Sequence, residues 1–311
     1  MDPSVFRRDV LLIINPTSGK MTAKTGTFEI VNTLSALGVI PNIYITQKAL
    51  DAKNIVRETA DRYESVICCG GDGTLNEVIS GMIEGKHATP IGYIPCGTTN
   101  DYASALAIPK SLTAAAEISV TGIPTAQDIG RFCGKRYFTY IASFGMLTSV
   151  SYATPQNLKN VLGHLAYLIE GAKSLTEIKS YRVRIETENG IKEDNYLFGA
   201  VTNTNSIGGI CKLSPDQVDL HDGRFESFFI RYPKNLTELN LILNCLRTST
   251  PDPEVIDCFS SARFKIVSET SIAWTTDGEF AGEFTEATVE NLPNAATILL
   301  FEDKATPYTV E

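Results

Sequence analysis

The chain has 311 residues, of which 43% are hydrophobic, and it carries a formal net charge of −9. This length exceeds what one hydrophobic core usually serves, so it predicts two domains. The negative charge argues against a nucleic-acid partner and against constitutive electrostatic binding to anionic lipid, because both need a basic surface. No segment approaches the roughly 20 continuous apolar residues of a membrane-spanning helix.

The cysteines and the N-terminal residues favour a cytoplasmic protein. Seven cysteines form an odd set without a Cys-x-x-Cys pair, which predicts reduced, structural thiols. The charged run Arg7-Arg8-Asp9 comes before the first predicted strand. We therefore expect no secretory signal.

Residues 1–126 alternate strand-like and helix-like segments. Residues 10–14, 42–46, 65–69 and 91–95 are predicted strands, and apolar residues at helical spacing lie between them. The alternation predicts an α/β nucleotide-binding domain with a parallel sheet and flanking helices. Whether a C-terminal segment, about residues 292–311, returns to this domain is left open.

Residues 127–291 predict a second domain, a β-sandwich. Hairpins are predicted at residues 131–138 and around Asn189-Gly190, which is a strong two-residue turn signal. Two helices are expected in this part, over residues 158–175 and 236–246.

Three polar loops follow predicted strands. They are Asn15-Pro16-Thr17-Ser18-Gly19-Lys20, Gly70-Gly71-Asp72-Gly73-Thr74 and Gly97-Thr98-Thr99-Asn100-Asp101. Amides and hydroxyls at the rim of a parallel sheet bind phosphate groups, so the loops predict a nucleotide site. The alternative is a set of tight turns without ligand. Neither the P-loop pattern nor the dinucleotide-binding pattern is matched.

Asp72 needs a separate explanation because a carboxylate does not contact a bare phosphate favourably. It is expected either to act through Mg²⁺ or to organise its loop.

The paired glycine turns resemble the diacylglycerol kinase catalytic-domain family, which comprises soluble bacterial lipid kinases related to sphingosine and ceramide kinases. The resemblance continues through Asn205-Ser206-Ile207-Gly208-Gly209, Leu213-Ser214-Pro215-Asp216, Asp219-Leu220-His221-Asp222-Gly223 and Asp277-Gly278-Glu279. It spans nearly the whole chain in the family's order. The first glycine turn alone is shared with NAD kinases and 6-phosphofructokinases.

The resemblance implies ATP and Mg²⁺ as ligands and assigns residues to them. The implied ATP-binding residues are Asn15, Pro16, Thr17, Ser18, Gly19, Lys20, Thr46, Gly70, Gly71, Asp72, Gly73, Thr74, Leu75, Asn76, Glu77 and Thr98. A structural Mg²⁺ site is implied at Asp219, Asp222 and the Arg224 carbonyl.

The resemblance also implies catalytic carboxylates. Asp101 would belong to a charged network that links metal and nucleotide, and Asp72 is counted with it among the catalytic carboxylates. Asp277 and Glu279 are both candidates for the general base, and the alternative for this pair is a hairpin turn with solvated carboxylates. Many members carry Arg three residues after the Asp101 position, where this chain has Ser104.

The implied function is an ATP-dependent lipid kinase that phosphorylates a hydroxyl of diacylglycerol or a similar lipid in a cleft between the domains. An NAD kinase and a non-catalytic nucleotide-sensing module remain alternatives. The expected partners are the lipid substrate and, transiently, the membrane surface, with no nucleic acid. The protein is expected in the cytoplasm and peripherally at the membrane, and a homodimer is left open.

Overall fold

The computed structural model describes residues 8–19, 22–98, 100–145, 179–203, 206–207, 211–212 and 222–301. The chain divides into two compact units. The N-terminal unit comprises Met1–Gln127 together with Asn294–Glu311, and the C-terminal unit comprises Asp128–Pro293.

Strands and helices alternate in the N-terminal unit. In chain order the elements are β1 (Arg8–Ile14), α1 (Thr22–Ala36), β2 (Val39–Ile45), α2 (Asp51–Thr59), β3 (Ser65–Gly70), α3 (Asp72–Gly85), β4 (Ile91–Pro95), α4 (Asp101–Ala105) and α5 (Leu112–Thr121). A single 3₁₀ turn, Ala60–Arg62, follows α2.

The strands of the N-terminal unit pair in parallel. Strand β1 lies between β2 and β3, and β4 pairs with the other side of β3. All six residues of β3 are buried, as expected of a strand with helices on both faces. Because parallel strands end at the same edge of a sheet, the loops that follow β1, β3 and β4 become neighbours.

The C-terminal unit is rich in strands. Its elements are β5 (Ile123–Phe132), β6 (Arg136–Phe138), β7 (Ile141–Gly145), β8 (Tyr181–Thr187), β9 (Gly190–Thr202), β10 (Ser206–Ile207), β11 (Cys211–Lys212), β12 (Phe225–Arg231), α6 (Leu236–Thr248), β13 (Ile256–Ser261), β14 (Arg263–Thr276) and β15 (Glu279–Leu300). By their residue ranges, β5 begins and β15 ends in the N-terminal unit.

Antiparallel pairing and an aromatic core hold the C-terminal unit together. Strand β9 pairs with β7, β8 and β12, and β14 pairs with β7, β8 and β15. The Trp274 ring lies 5.2 Å from the Phe132 ring and 4.9 Å from the Phe144 ring, centroid to centroid. All three side chains are fully buried, and such aromatic contacts contribute beyond the area they bury.

The two predicted hairpins and one predicted helix are confirmed. Strands β5 and β6 pair around residues 133–135, and β8 and β9 pair around residues 188–189. Helix α6 matches the helix predicted at residues 236–246, whereas the helix predicted at residues 158–175 lies outside the described residues. In the part of the chain that is described, no helix combines the length and apolar character that crossing a membrane requires.

Candidate active site

The loop after β1 is ordered by the Asn15 side chain. Its Oδ1 accepts from the Thr17 amide at 3.0 Å and from the Thr17 hydroxyl at 2.9 Å. Its Nδ2 donates to Thr74 Oγ1 at 2.9 Å. Asn15 thus joins the first loop to the second, while Pro16 and Thr17 lie at the loop's apex and Lys20 lies outside the described residues.

The loop after β3 turns directly into helix α3. Gly71 is the N-cap residue, and its amide donates to Ser18 Oγ in the first loop at 3.3 Å. The amides of Gly73 and Thr74 belong to the first turn of α3, where a helix offers them no carbonyl partner. A Cβ on Gly70 would lie 2.6 Å from the Thr74 Cβ, so this turn packs closely on the start of its own helix.

The loop after β4 is held by Asn100. This residue has a left-handed backbone, with φ of 52°, and its side-chain amide bonds both backbone groups of Gly97. Gly97 N–H donates to Oδ1 at 2.8 Å, and Nδ2 donates to the Gly97 carbonyl at 2.9 Å. A Cβ on Gly97 would lie 2.7 Å from the Gly71 Cα. The second and third loops therefore touch through glycine backbone.

Asp72 joins the second loop to the third. Its Oδ2 accepts from the Asp101 amide at 2.9 Å, and its Oδ1 accepts from the Tyr102 amide at 3.3 Å and the Tyr93 hydroxyl at 3.4 Å. Burial and then the nearby Asp72 charge raise the pKa of Tyr93, so its hydroxyl stays protonated and donates. Of the two roles predicted for Asp72, organising the loop is the one that these contacts describe.

The remaining residues assigned to ATP from sequence differ in their surroundings. Thr46 is buried after β2, where its amide donates to the Ile14 carbonyl at 3.0 Å, and Thr98 is exposed. The Glu77 carboxylate accepts from the Leu50 amide at 2.8 Å.

Two further residues assigned to ATP, Leu75 and Asn76, lie within α3. The Leu75 side chain is fully buried and its amide donates to the Gly71 carbonyl at 3.0 Å, so Leu75 anchors α3 in the core. The Asn76 side chain accepts from the Ser80 hydroxyl at 3.4 Å.

These contacts bring the first, second and third loops into one cluster at the carboxyl edge of the parallel strands. Backbone amides at the start of a helix, together with nearby hydroxyls, form a binding site for anions such as phosphate groups. The cluster is the candidate nucleotide site of the N-terminal unit.

In the C-terminal unit, Asp277 and Gly278 form the turn between β14 and β15. Both residues have positive φ, 48° and 82°, which is the conformation of a two-residue hairpin turn that Asp-Gly favours. The Asp277 carboxylate is nevertheless not solvated. It accepts from the amides of Thr139, Tyr140 and Ile141 at 2.7, 3.0 and 3.2 Å, and from the Thr139 hydroxyl at 3.0 Å.

Burial raises the pKa of the Asp277 carboxyl, although the backbone donors act in the opposite direction. With both oxygens engaged by Thr139, Tyr140 and the first residue of β7, Asp277 fixes the turn in place. The solvated-turn alternative is therefore wrong for this carboxylate, and its contacts describe an anchor.

Glu279 presents the exposed carboxylate of the same turn. Its side chain has a relative exposure of 68%, and it forms an ion pair with Arg136 at 2.8 Å. The Arg136 guanidinium also donates to the Phe280 carbonyl at 3.0 Å. The buried Asp277 carboxylate thus anchors the Asp277-Gly278-Glu279 turn, and the Arg136 guanidinium pairs with its exposed carboxylate.

The candidate metal loop is only partly within the described residues. Asp219 lies outside them, whereas Asp222 is exposed and accepts from the Arg224 amide at 2.9 Å. Within the described part of the chain, no cluster of three or more His, Cys, Asp or Glu side chains could hold a metal ion.

The sequence did not identify Asp128, whose side chain bonds the backbone of the candidate metal loop. Asp128 is fully buried, and its Oδ2 accepts from the Gly223 amide at 3.1 Å and from Asn291 Nδ2 at 3.2 Å. No local pattern signals this role, because the partners lie 95 and 163 residues away along the chain.

Comparison with known proteins gives matches along both units. The profile of the diacylglycerol kinase catalytic domain matches residues 9–132, and that of the YegS C-terminal NAD kinase beta sandwich-like domain matches residues 141–300. Proteins named diacylglycerol kinase from Staphylococcus aureus strains JH9 and Newman are each 36% identical over 282 residues, covering 89% of this chain and 88% of the relative.

Solved structures show the same fold. A diacylglycerol kinase from Bacillus anthracis str. Sterne superposes with a TM-score of 0.73 at 22% identity, covering 96% of this chain and 98% of that one. A second structure from that organism gives a TM-score of 0.76 at 23% identity, covering 95% of this chain and 98% of that one. The resemblance inferred from the glycine turns is therefore confirmed, and the chain belongs to the diacylglycerol kinase catalytic-domain family.

Proposed function

We propose that this chain is an ATP-dependent kinase that transfers the γ-phosphoryl group to a hydroxyl of diacylglycerol or a similar lipid. The observation that carries the proposal is the cluster of three loops joined by Asn15 and Asp72, in a chain whose family is named for this activity. The acceptor class is taken from the Staphylococcus aureus relatives, which are named diacylglycerol kinases.

The N-terminal unit would hold the nucleotide. Phosphoryl transfer depends mainly on positioning and on neutralising charge, so no covalent nucleophile is needed. The Gly73 and Thr74 amides in the first turn of α3 are suited to bind phosphate oxygens, and the exposed hydroxyl of Thr98 adds a donor. Asp72 keeps the third loop against the second, so that both meet the same ligand.

The C-terminal unit would supply the general base. An alcohol acceptor must lose its proton to a carboxylate within hydrogen-bond reach, which typically contributes about 10²- to 10⁴-fold in rate. We assign this role to Glu279, because its carboxylate is exposed. Asp277 is assigned a positioning role, because four donors from Thr139, Tyr140 and Ile141 already occupy its two oxygens.

Magnesium fits the proposal by its chemistry. It prefers carboxylate and carbonyl oxygens, which are what Asp219, Asp222 and the Arg224 backbone offer. When bound, it would neutralise the charge of the Asp219 and Asp222 carboxylates. The Gly223 amide already bonds the buried Asp128 carboxylate at 3.1 Å, so this chain fixes one end of the candidate metal loop by itself.

The lipid acceptor implies a transient contact with the membrane surface. The acceptor lies in a bilayer, whereas ATP is dissolved in the cytoplasm, so a reversible peripheral encounter suits both substrates. Cytoplasmic location and peripheral membrane contact are parts of the proposal, whereas a homodimer is left open.

Replacing Glu279 by Gln tests the base assignment. We expect kcat for phosphoryl transfer to diacylglycerol to fall at least about 100-fold with ATP affinity unchanged. Glu283→Gln is the matched control, because Glu283 is another exposed glutamate on β15. Equal kcat in the Glu279→Gln variant and the control would overturn the assignment.

An NAD kinase is the second candidate, because the profile matching residues 141–300 is described as NAD kinase beta sandwich-like. It uses the same first glycine turn but a water-soluble acceptor. Offering diacylglycerol and NAD⁺ to the same preparation separates the two functions.

A further inference from the structure

Two buried thiols face each other beneath the loop cluster. Cys69 is the second-last residue of β3, and Cys96 directly follows β4. Their Sγ atoms are 3.3 Å apart, a hydrogen-bond distance for sulfur, and neither side chain is more than 2% exposed. Among the described residues no disulfide is formed, so these are reduced thiols in contact.

The two thiols lie where the second and third loops begin, and these loops contact each other. The carbonyl of Gly70, the residue after Cys69, accepts a hydrogen bond from the Cys96 amide at 2.7 Å. One residue further along each chain segment, the backbones of Gly71 and Gly97 are so close that a methyl group on Gly97 would lie 2.7 Å from the Gly71 Cα. A change in the Cys69–Cys96 distance therefore acts directly on the second and third loops.

The two thiols are chemically unequal. The hydrogen bond between the two thiols lowers the pKa of Cys96, against the opposing effect of burial. The same hydrogen bond, together with burial, raises the pKa of Cys69. Cys96 is also the less buried of the two, with a relative exposure of 2% against 0% for Cys69. Because the thiolate is the form of cysteine that reacts with oxidants, the lowered pKa and the greater exposure both favour Cys96 for the first step.

We propose that Cys69 and Cys96 form a reversible oxidation site, at which a peroxide links β3 to the end of β4 and lowers the affinity of the loop cluster for nucleotide. The Cys96 sulfur attacks the peroxide, breaking its O–O bond and forming a sulfenic acid with release of one water. The Cys69 sulfur then attacks the sulfenic sulfur, forming the S–S bond and breaking the S–O bond with release of a second water. Two electrons from the two thiols reduce one peroxide, and reduction by a dithiol reverses the linkage.

The expected effect on the loops follows from distance. A disulfide requires an S–S separation of about 2.05 Å, so the sulfurs must approach by roughly 1.2 Å from their 3.3 Å separation. The Gly71 and Gly97 backbones already lie close together just beyond the thiols, so a backbone shift that accompanies the linkage displaces both loops. Because the proposed phosphate-binding amides belong to these loops, we expect a loss of ATP affinity of at least about tenfold, which corresponds to about 1.4 kcal/mol.

The effect on ATP rests on the proposed function, whereas formation of the disulfide does not. Two measurements are therefore made on the whole chain after hydrogen peroxide treatment. The first is peptide mapping by mass spectrometry, in which trypsin places Cys69 in residues 63–86 and Cys96 in residues 87–110. The second is titration with ATP.

The matched variants are Cys69→Ala and Cys68→Ala. Cys68 is an equally buried thiol on the neighbouring position of β3, where the side chain points to the opposite face. In the wild type and in Cys68→Ala we expect the linked peptides and the loss of ATP affinity. Dithiothreitol should reverse both effects. Cys69→Ala should show neither linked peptides nor a loss of affinity. The exposed Cys258 thiol reports that the oxidant has acted.

Two results would overturn the proposal. One is the absence of the linked peptides in a sample whose Cys258 is oxidised. The other is linkage without any change in ATP affinity, which would leave a packing pair that oxidises without consequence. Linkage in a chain whose reduced form binds no ATP would support the oxidation site and overturn the proposed nucleotide function instead.

Discussion

Replacing Asp72 by Ala removes the carboxylate that joins the second and third loops. In the native chain this side chain accepts from the Asp101 amide at 2.9 Å and from the Tyr102 amide at 3.3 Å. Both amides begin helix α4, so the substitution leaves the start of that helix without its acceptor. The loop around Gly97 is then no longer held against the first turn of α3.

The magnitude follows from the number and kind of bonds lost. A hydrogen bond to a charged group contributes about 1.5–3 kcal/mol, and the lower end applies because Asp72 is half-exposed. The two amide bonds give about 3 kcal/mol, and the longer bond from the Tyr93 hydroxyl at 3.4 Å adds about 1 kcal/mol. The loss of an acidic residue from the first turn of α3 adds about 0.5 kcal/mol. Since folded domains are stable by about 5–15 kcal/mol, the chain should still fold.

The activity should fall as well, although the chain still folds. A displacement of about 1 Å at the reacting groups costs about 100-fold in rate, which corresponds to about 2.7 kcal/mol. We expect at least this loss in kcat/KM for phosphoryl transfer, measured with saturating lipid and varied ATP. Urea unfolding measures the stability, and Asp61→Ala, which removes an exposed carboxylate of the same unit, is the control. Near-native kcat/KM in Asp72→Ala would refute the reasoning.

Three further predictions test other parts of the account. Gly97→Ala places a methyl group 2.7 Å from the Gly71 Cα, so ATP affinity measured by titration should fall at least about tenfold; an unchanged affinity would show that the loops need not touch. Burial alone would raise the pKa of Asp257, but hydrogen bonds from Arg231 and Tyr196 hold it below its ordinary value. That carboxylate therefore stabilises the fold above the unfolded pKa of about 3.9, and the stabilisation is lost as the pH falls through the lower folded pKa. We therefore expect the free energy of unfolding, measured with urea between roughly pH 5 and pH 2, to fall less for Asp257→Asn than for the wild type. Parallel declines in the two proteins would contradict this. Asp222→Asn should raise the Mg²⁺ concentration needed for half-maximal activity, whereas an unchanged Mg²⁺ dependence would count against the metal loop.

The position of the loop cluster could be anticipated from sequence because strand ends and turn residues are local signals. Each loop follows a run of buried apolar residues, and parallel strands present their ends at one edge. The bonds that join the loops could not be anticipated. Asp72 meets the Asp101 amide across 29 residues, and Asn15 meets Thr74 across 59. Such pairs depend on the register of neighbouring strands, which a single sequence does not determine.

The Asp277-Gly278-Glu279 turn shows the same limit in the C-terminal unit. Asp-Gly signals a hairpin, and the hairpin between β14 and β15 is present. Sequence could not distinguish the two carboxylates of this turn, because each lies in a polar segment. The difference arises from the Thr139 backbone, which is 138 residues away and buries Asp277 while leaving Glu279 exposed.

The most direct test of the account is the destination of the γ-phosphoryl group. Wild-type chain is incubated with γ-labelled ATP and Mg²⁺, with diacylglycerol in mixed micelles or NAD⁺ as the acceptor, and the initial rate of label transfer to each is measured. The account predicts that label accumulates in the lipid, with Glu279→Gln at least about 100-fold slower. Faster labelling of NAD⁺ than of lipid, or no transfer to either acceptor from a chain that binds ATP, would contradict it.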